Sequence, residues 1–247
     1  MAGTSPAMTG RLQPVAPPPL EEMRAAYRGL HPTSARFDKP SGWAIIVRQS
    51  SGKAWSHGMS IPTLIFRTIR WSAWDGCATG MEHVDVRPAD GGLAISGVVI
   101  AQEGETEFGL SYRLKLDALW HTKEVLVRTT SGHVLHLESD GRGHWQENGK
   151  DRSDLQGCID VDIQATPLTN TLPIRRLDLE TGESMDIRLC YIDVPGLTVA
   201  PSDQRYTALE AGSLYRFESL ESGFTADLRV DGDGFVLDYP GLFKRLA

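Results

Sequence analysis

Two carboxylates stand two residues apart in the stretch 157–177, GCIDVDIQATPLTNTLPIRRL, and two adjacent arginines close it. Ile159, Val161 and Ile163 alternate with Asp160, Asp162 and Gln164, so a strand here turns β-branched side chains to one face and polar ones to the other. Asp160 and Asp162 then share a face, with Cα atoms about 6.6 Å apart, two rises of ~3.3 Å. Carboxylates at that separation suit acid and base work on a glycosidic bond, where inverting pairs stand roughly 6.5–9.5 Å apart. The same two acids, with Arg175 and Arg176 returning nearby, better suit a structural ion-pair network. Thr166 precedes Pro167, which has no N–H and pushes its neighbour into an extended conformation, so the strand is predicted to stop there. Thr169, Asn170 and Thr171 are loop residues whose side chains bond their own backbone or reach a sugar hydroxyl. Pro173 closes the loop and 174–179 resumes an extended run, on which Arg175 and Arg176 face opposite ways, one toward Asp160 and one toward an anion or solvent. Gln204 and Tyr206 share a face of a later strand, as pocket mouth or as ordinary sheet surface.

Other chemistry finds no foothold. His133 and His136 are three apart on a predicted strand and point to opposite faces, so they cannot chelate together. The cysteines, Cys77, Cys158 and Cys190, are odd in number and lack a C-x-x-C pair, which argues against a disulfide framework or a zinc knuckle and for a reducing compartment. No H-E-x-x-H, P-loop or G-x-S-x-G motif occurs. Asp231-Gly232-Asp233-Gly234 lacks the ligand spacing and terminal Glu of a calcium loop and reads as a hairpin turn. The reading includes no cofactor and no metal.

These residues need a scaffold, and the chain of 247 residues with 40% hydrophobic content is long enough for one sizeable all-β domain. Residues 1–66 hold seven Lys or Arg against three acids, which leaves a net −11 for the remainder of a chain whose formal charge is −7. So acidic a domain repels phosphate backbones and anionic membrane surfaces, which excludes nucleic acid as a partner. No transmembrane stretch and no secretory apolar core is present, and the expected location is cytoplasmic.

Eight of the 14 prolines fall in residues 1–66, a segment without sustained period, so 1–63 is predicted to be a poorly ordered extension with one short helix at 20–30. From residue 64 the texture is that of a sheet. Phe108, Leu110, Tyr112, Leu114 and Leu116 alternate with polar or small residues, and Phe224, Ala226, Leu228 and Val230 repeat the pattern. Asn148-Gly149 marks a tight hairpin. A dozen or so such strands form a long antiparallel meander over 64–247, and a flat sheet of that size must curl, close or split. The segment 241–246 reads as a short helix with Leu242, Phe243 and Leu246 on one stripe.

Several runs resemble a bacterial family of putative glycolipid-binding proteins. They include Gly80-Met81-Glu82, Gly97, Gly143-His144-Trp145, Cys158-Ile159-Asp160-Val161-Asp162-Ile163, Gln204-Arg205-Tyr206-Thr207 and Val236-Leu237-Asp238-Tyr239-Pro240-Gly241-Leu242-Phe243. The most specific is Thr166-Pro167-Leu168-Thr169-Asn170-Thr171-Leu172-Pro173-Ile174-Arg175-Arg176-Leu177. The resemblance covers about residues 67–247 and implies a spiral β-roll, a long antiparallel sheet wound around a single helix, for which 241–246 is the expected filling. It also implies a homodimer and an amphiphile, such as a glycolipid, held in the concave face without catalysis. On this reading Asp160, Asp162, Thr169, Asn170, Arg175, Arg176, Gln204 and Tyr206 are the candidate ligand contacts. Two alternatives stand beside it: a carbohydrate- or lipid-active hydrolase using Asp160 and Asp162, and a structural homodimer whose hollow is plugged by its own side chains.

Overall fold

The computed structural model describes residues 65–247; the expected extension and its helix at 20–30 lie outside them. The strands are β1 (Arg67–Ala73), β2 (Gly76–Ala89), β3 (Gly92–Glu103), β4 (Thr106–Asp117), β5 (Thr122–Thr129), β6 (Val134–Ser139), β7 (Trp145–Glu147) and β8 (Lys150–Asp151). Then follow β9 (Asp160–Ile163), helix α1 (Thr171–Leu177), β10 (Ser184–Ile192), β11 (Val199–Glu210), β12 (Leu214–Ser219), β13 (Thr225–Val230), β14 (Val236–Tyr239) and β15 (Phe243–Arg245). All 15 strands join one sheet in the order β8-β7-β6-β5-β4-β3-β2-β1-β15-β14-β13-β12-β11-β10-β9. Two meanders therefore meet back to back, where β1 pairs with β15 through Trp71 opposite Arg245 and Ala73 opposite Phe243.

The two edges, β8 and β9, are consecutive in the chain. Residues 152–159 join them, a stretch that reaches roughly 30 Å at full extension, whereas 15 flat strands spaced about 4.8 Å apart would be some 65 Å wide. The sheet must curl to let its edges approach. Hydrogen bonds from the first meander to the connection that leads into β9 show that it does: Gly157 N–H donates to Gly143 O at 2.9 Å and Trp145 Nε1 to Cys158 O at 2.7 Å.

Curling creates a hollow, and the connection 164–183 fills it. β9 pairs with β10 in parallel, Asp162 opposite Tyr191, and a parallel pair needs a crossover that leaves the sheet and returns. Here a 3-10 turn, Pro167–Asn170, runs into α1. Thr166 caps the start by accepting the Leu168 N–H on its hydroxyl, and Asp178 ends the helix in the left-handed region at φ 46°. Every residue from Ala165 to Ile174 is buried, the polar Thr166, Thr169, Asn170 and Thr171 included. Leu168 and Leu172 pack with Trp71, Val84, Ile95 and Leu114 of the first meander, while Ile174 joins Tyr206, Phe217, Phe224 and Tyr239 of the second.

Three expectations need correction. The run 174–179 is not a strand, because Pro167 and Pro173 both fall in first turns, where a missing N–H loses nothing and a fixed φ favours helix. Arg175 and Arg176 consequently sit on a helical last turn instead of on opposite strand faces. The filling helix is thus α1, and the C-terminal segment is β15, which pairs with both β1 and β14. No helix among the described residues is long and apolar enough to cross a membrane.

Candidate functional site

A pocket opens at the end of the hollow where β1 and β2 lose register: Ser72 lies opposite Met81, but Ala73 lies opposite Gly76, and the extra residues of β2 form a bulge. The cavity measures about 100 Å³. Its walls are largely apolar, with Trp71, Val99, Phe108, Phe224, Tyr239 and Phe243 among them, and its polar residues include Glu82, Asp162, Thr166 and Asn170.

Glu82 belongs to the inward face of β2, opposite Val99 of β3. Tyr112 Oη donates to its Oε1 at 2.6 Å and Thr166 Oγ1 to its Oε2 at 2.8 Å. Thr166 can do this because its hydroxyl already accepts the Leu168 N–H, leaving its own proton for the carboxyl. The Tyr112 ring reaches Glu82 by lying over Gly97, where a Cβ would come within 2.2 Å of the ring. Burial outweighs both hydrogen bonds and pushes the Glu82 carboxyl up to about 8, so it is neutral at pH 7.

Asp162 reaches the same cavity from β9. Its Oδ1 accepts from Thr169 Oγ1 at 3.0 Å and its Oδ2 from Gln204 Nε2 at 2.9 Å. Two of the sequence candidates, Thr169 and Gln204, thus hold a third. Asn170 lines the cavity and donates to the buried Tyr206 hydroxyl at 2.9 Å, while the Tyr206 ring meets Phe217 edge-on at 5.6 Å.

The remaining candidates lie elsewhere. Asp160 is fully buried and receives the Arg176 guanidinium, Nε at 3.0 and 3.1 Å and Nη2 at 2.5 Å. Burial pushes its carboxyl up, with Arg176 and more weakly His121 pulling it back. Both Asp160 oxygens are engaged, so acid–base chemistry shared by Asp160 and Asp162 has no geometric support. Arg175 lies over the Trp120 ring at 5.0 Å, and burial lowers its pKa. Of the eight candidates, only Asp162 and Asn170 line the pocket.

A family model described as putative glycolipid-binding matches residues 68–245. The chain belongs to this family. The crystal structure of a DUF1089 family protein from Pseudomonas aeruginosa is similar, with 36% identity and a TM-score of 0.60 over 85% of this chain and 100% of that one. No curated protein matches the chain. Within the family fold, sequence reasoning singled out Gly80-Met81-Glu82 as a resemblance but gave Glu82 no role. Glu82 stands in phase with Val84 and Val86 on the apolar face of β2, so the alternation itself marks it as an inward polar residue, while its partners lie 30 and 84 residues away. Tyr239 was likewise visible only as part of a run.

Proposed function

We propose that the protein binds an amphiphile without transforming it, taking one end of the ligand into the pocket at Glu82. The observation that carries this reading is a pocket of about 100 Å³, apolar-walled with a few buried polar groups, at the end of an otherwise filled hollow. Such a combination is what small-ligand sites use, although sites for whole drug-sized molecules run to roughly 300–1,000 Å³. Only one end of the ligand therefore enters, and α1 stays in place as the filling of the hollow. The rest of the ligand lies outside the mouth, where Met81 lines the pocket and is 42% exposed.

Membership of a putative glycolipid-binding family supports an amphiphile as the ligand class. The environment of the carboxyl groups supports binding over catalysis, since Asp160 is closed by Arg176 and the oxygens of Glu82 and Asp162 accept fixed bonds. The test is a titration with the neutral fluorescent amphiphile N-phenyl-1-naphthylamine on the wild-type protein and on Ala101→Phe. Ala101 lines the pocket and is only partly buried, so the larger side chain fills the cavity from within. Saturable fluorescence enhancement in the wild type and its loss in a folded Ala101→Phe protein is the expected result. Equal binding by both proteins would place the ligand elsewhere.

A further inference from the structure

Because neighbouring strands of the two meanders run antiparallel, the connections β1–β2, β3–β4, β10–β11, β12–β13 and β14–β15 gather at one end of the sheet. The pocket opens among them, and Ala73, Glu103, Val194, Phe224 and Leu242 line it at the five connections in turn. Large apolar side chains stand exposed at this end, Trp74 by 40%, Met81 by 42% and Leu220 by 42%. We propose that this end docks on a zwitterionic lipid surface, where the pocket takes up and gives back its amphiphile. The proposal rests on the pocket being the binding site and adds where its ligand is exchanged.

The rim carries the side chains that suit a boundary between water and lipid. Trp74 N–H donates to the carbonyl of pocket-lining Leu242 at 2.9 Å, and the Lys244 ammonium lies 6.0 Å from the centre of the Trp74 ring. Tryptophan and lysine settle at headgroup depth, the indole half in the apolar layer and the ammonium reaching for water. Leu220 comes from the other meander, on the turn that Ser219 N–H closes by donating to Phe224 O at 2.8 Å, so apolar groups stand at the mouth from two sides. Met81 both lines the pocket and is exposed, which joins the rim to the cavity.

Two other occupants fit this end less well. Three side chains exposed by about two-fifths offer on the order of 250 Å² of apolar area, whereas a specific protein partner or a second copy of the chain needs about 800 Å² from each side. A fluid lipid surface needs no matching shape, and apolar groups carried on separate turns can each enter it. An anionic surface is disfavoured by charge, since Asp75, Glu105 and Glu221 are exposed on the same turns and like charges repel. A zwitterionic surface meets neither obstacle. An amphiphile dissolved in it reaches a pocket whose mouth lies against it without carrying its tail through water.

The test is flotation of the purified full chain with phosphatidylcholine vesicles and with phosphatidylglycerol vesicles, beside a titration with N-phenyl-1-naphthylamine in the absence of lipid. The variants are Trp74→Ser and Leu220→Asp at the rim, neither of which lines the pocket, and Leu119→Asp, a residue 67% exposed in the β4–β5 connection at the opposite end. The wild type and Leu119→Asp are expected to float with phosphatidylcholine, and the two rim variants to partition about tenfold or more weakly. All three variants are expected to bind the probe as the wild type does. Phosphatidylglycerol is expected to bind less at low salt and to approach phosphatidylcholine as salt rises. A wild type that does not float, rim variants that float as well as the wild type, or a Leu119→Asp protein weakened as much as they are overturns the proposal. Stronger flotation with phosphatidylglycerol at low salt overturns it too. Saturable probe binding without flotation leaves the pocket standing as a binding site, whereas no probe binding by the wild type removes the pocket reading and this proposal with it.

Discussion

A carboxyl group buried beside two hydroxyls behaves differently from one buried against a guanidinium, and this chain holds both. Asp160 meets Arg176 head on, and the pair neutralises itself inside the fold. Removing only the cation, as in Arg176→Met, leaves an uncompensated buried charge and is expected to cost roughly 3–5 kcal/mol in urea denaturation. The double variant Asp160→Leu with Arg176→Met is expected to recover most of that loss, because an apolar pair demands no charge compensation. Glu82 has no cation and holds its proton instead. Its folded-state value of about 8 exceeds the ordinary 4.5, so between those pH values the folded protein binds more protons than the unfolded chain. Stability is therefore expected to fall as pH rises from about 4.5 to about 8, by up to roughly 1.4 kcal/mol per unit from this group. Glu82→Gln is expected to flatten that slope and to be more stable than the wild type at pH 8. Unchanged slopes in urea midpoints measured from pH 5 to 8 would contradict a neutral Glu82. Gly97 acts at the same scale: Gly97→Ala pushes a methyl into the Tyr112 ring and is expected to destabilise by about 1–3 kcal/mol.

At the scale of the element, the segment from Thr166 to Leu177 decides what the hollow can hold. Thr166→Val removes the hydroxyl that caps the 3-10 turn and donates to Glu82. A loss of about 1–3 kcal/mol is expected, with the earliest amide exchange in 167–177. The strands on either side of this segment were legible because one face of each is buried and period-2 alternation survives in the residues, as in Leu110, Tyr112, Leu114 and Leu116. The segment itself was not. Two prolines and four hydroxyl or amide side chains read locally as a loop, and burial inside the sheet makes helical turns of them. β15 was missed for the mirror-image reason. Leu242, Phe243 and Leu246 have helical spacing, but β1 and β14 offer backbone partners from distant parts of the chain, and pairing with them overrides local preference. The pocket was half legible: Asp162 and Asn170 stood out as polar residues, while Glu82 became a site residue through Tyr112, two strands away across Gly97, and through Thr166 of the filling segment.

At the scale of the whole molecule, two meanders that meet at β1 and β15 and nearly meet again at β8 and β9 enclose a space that α1 occupies. The central claim is that ligand enters beside this filling and does not replace it. Methyl-resolved NMR of the full chain titrated with N-phenyl-1-naphthylamine tests it most directly. The expected result is shift changes confined to methyls at the pocket, those of Ala73, Val99, Ala101, Val194 and Leu242, with Leu168 and Leu172 unmoved. Large changes at Leu168 and Leu172, which lie at the centre of the core, would mean that the helix leaves to admit the ligand, and would contradict it.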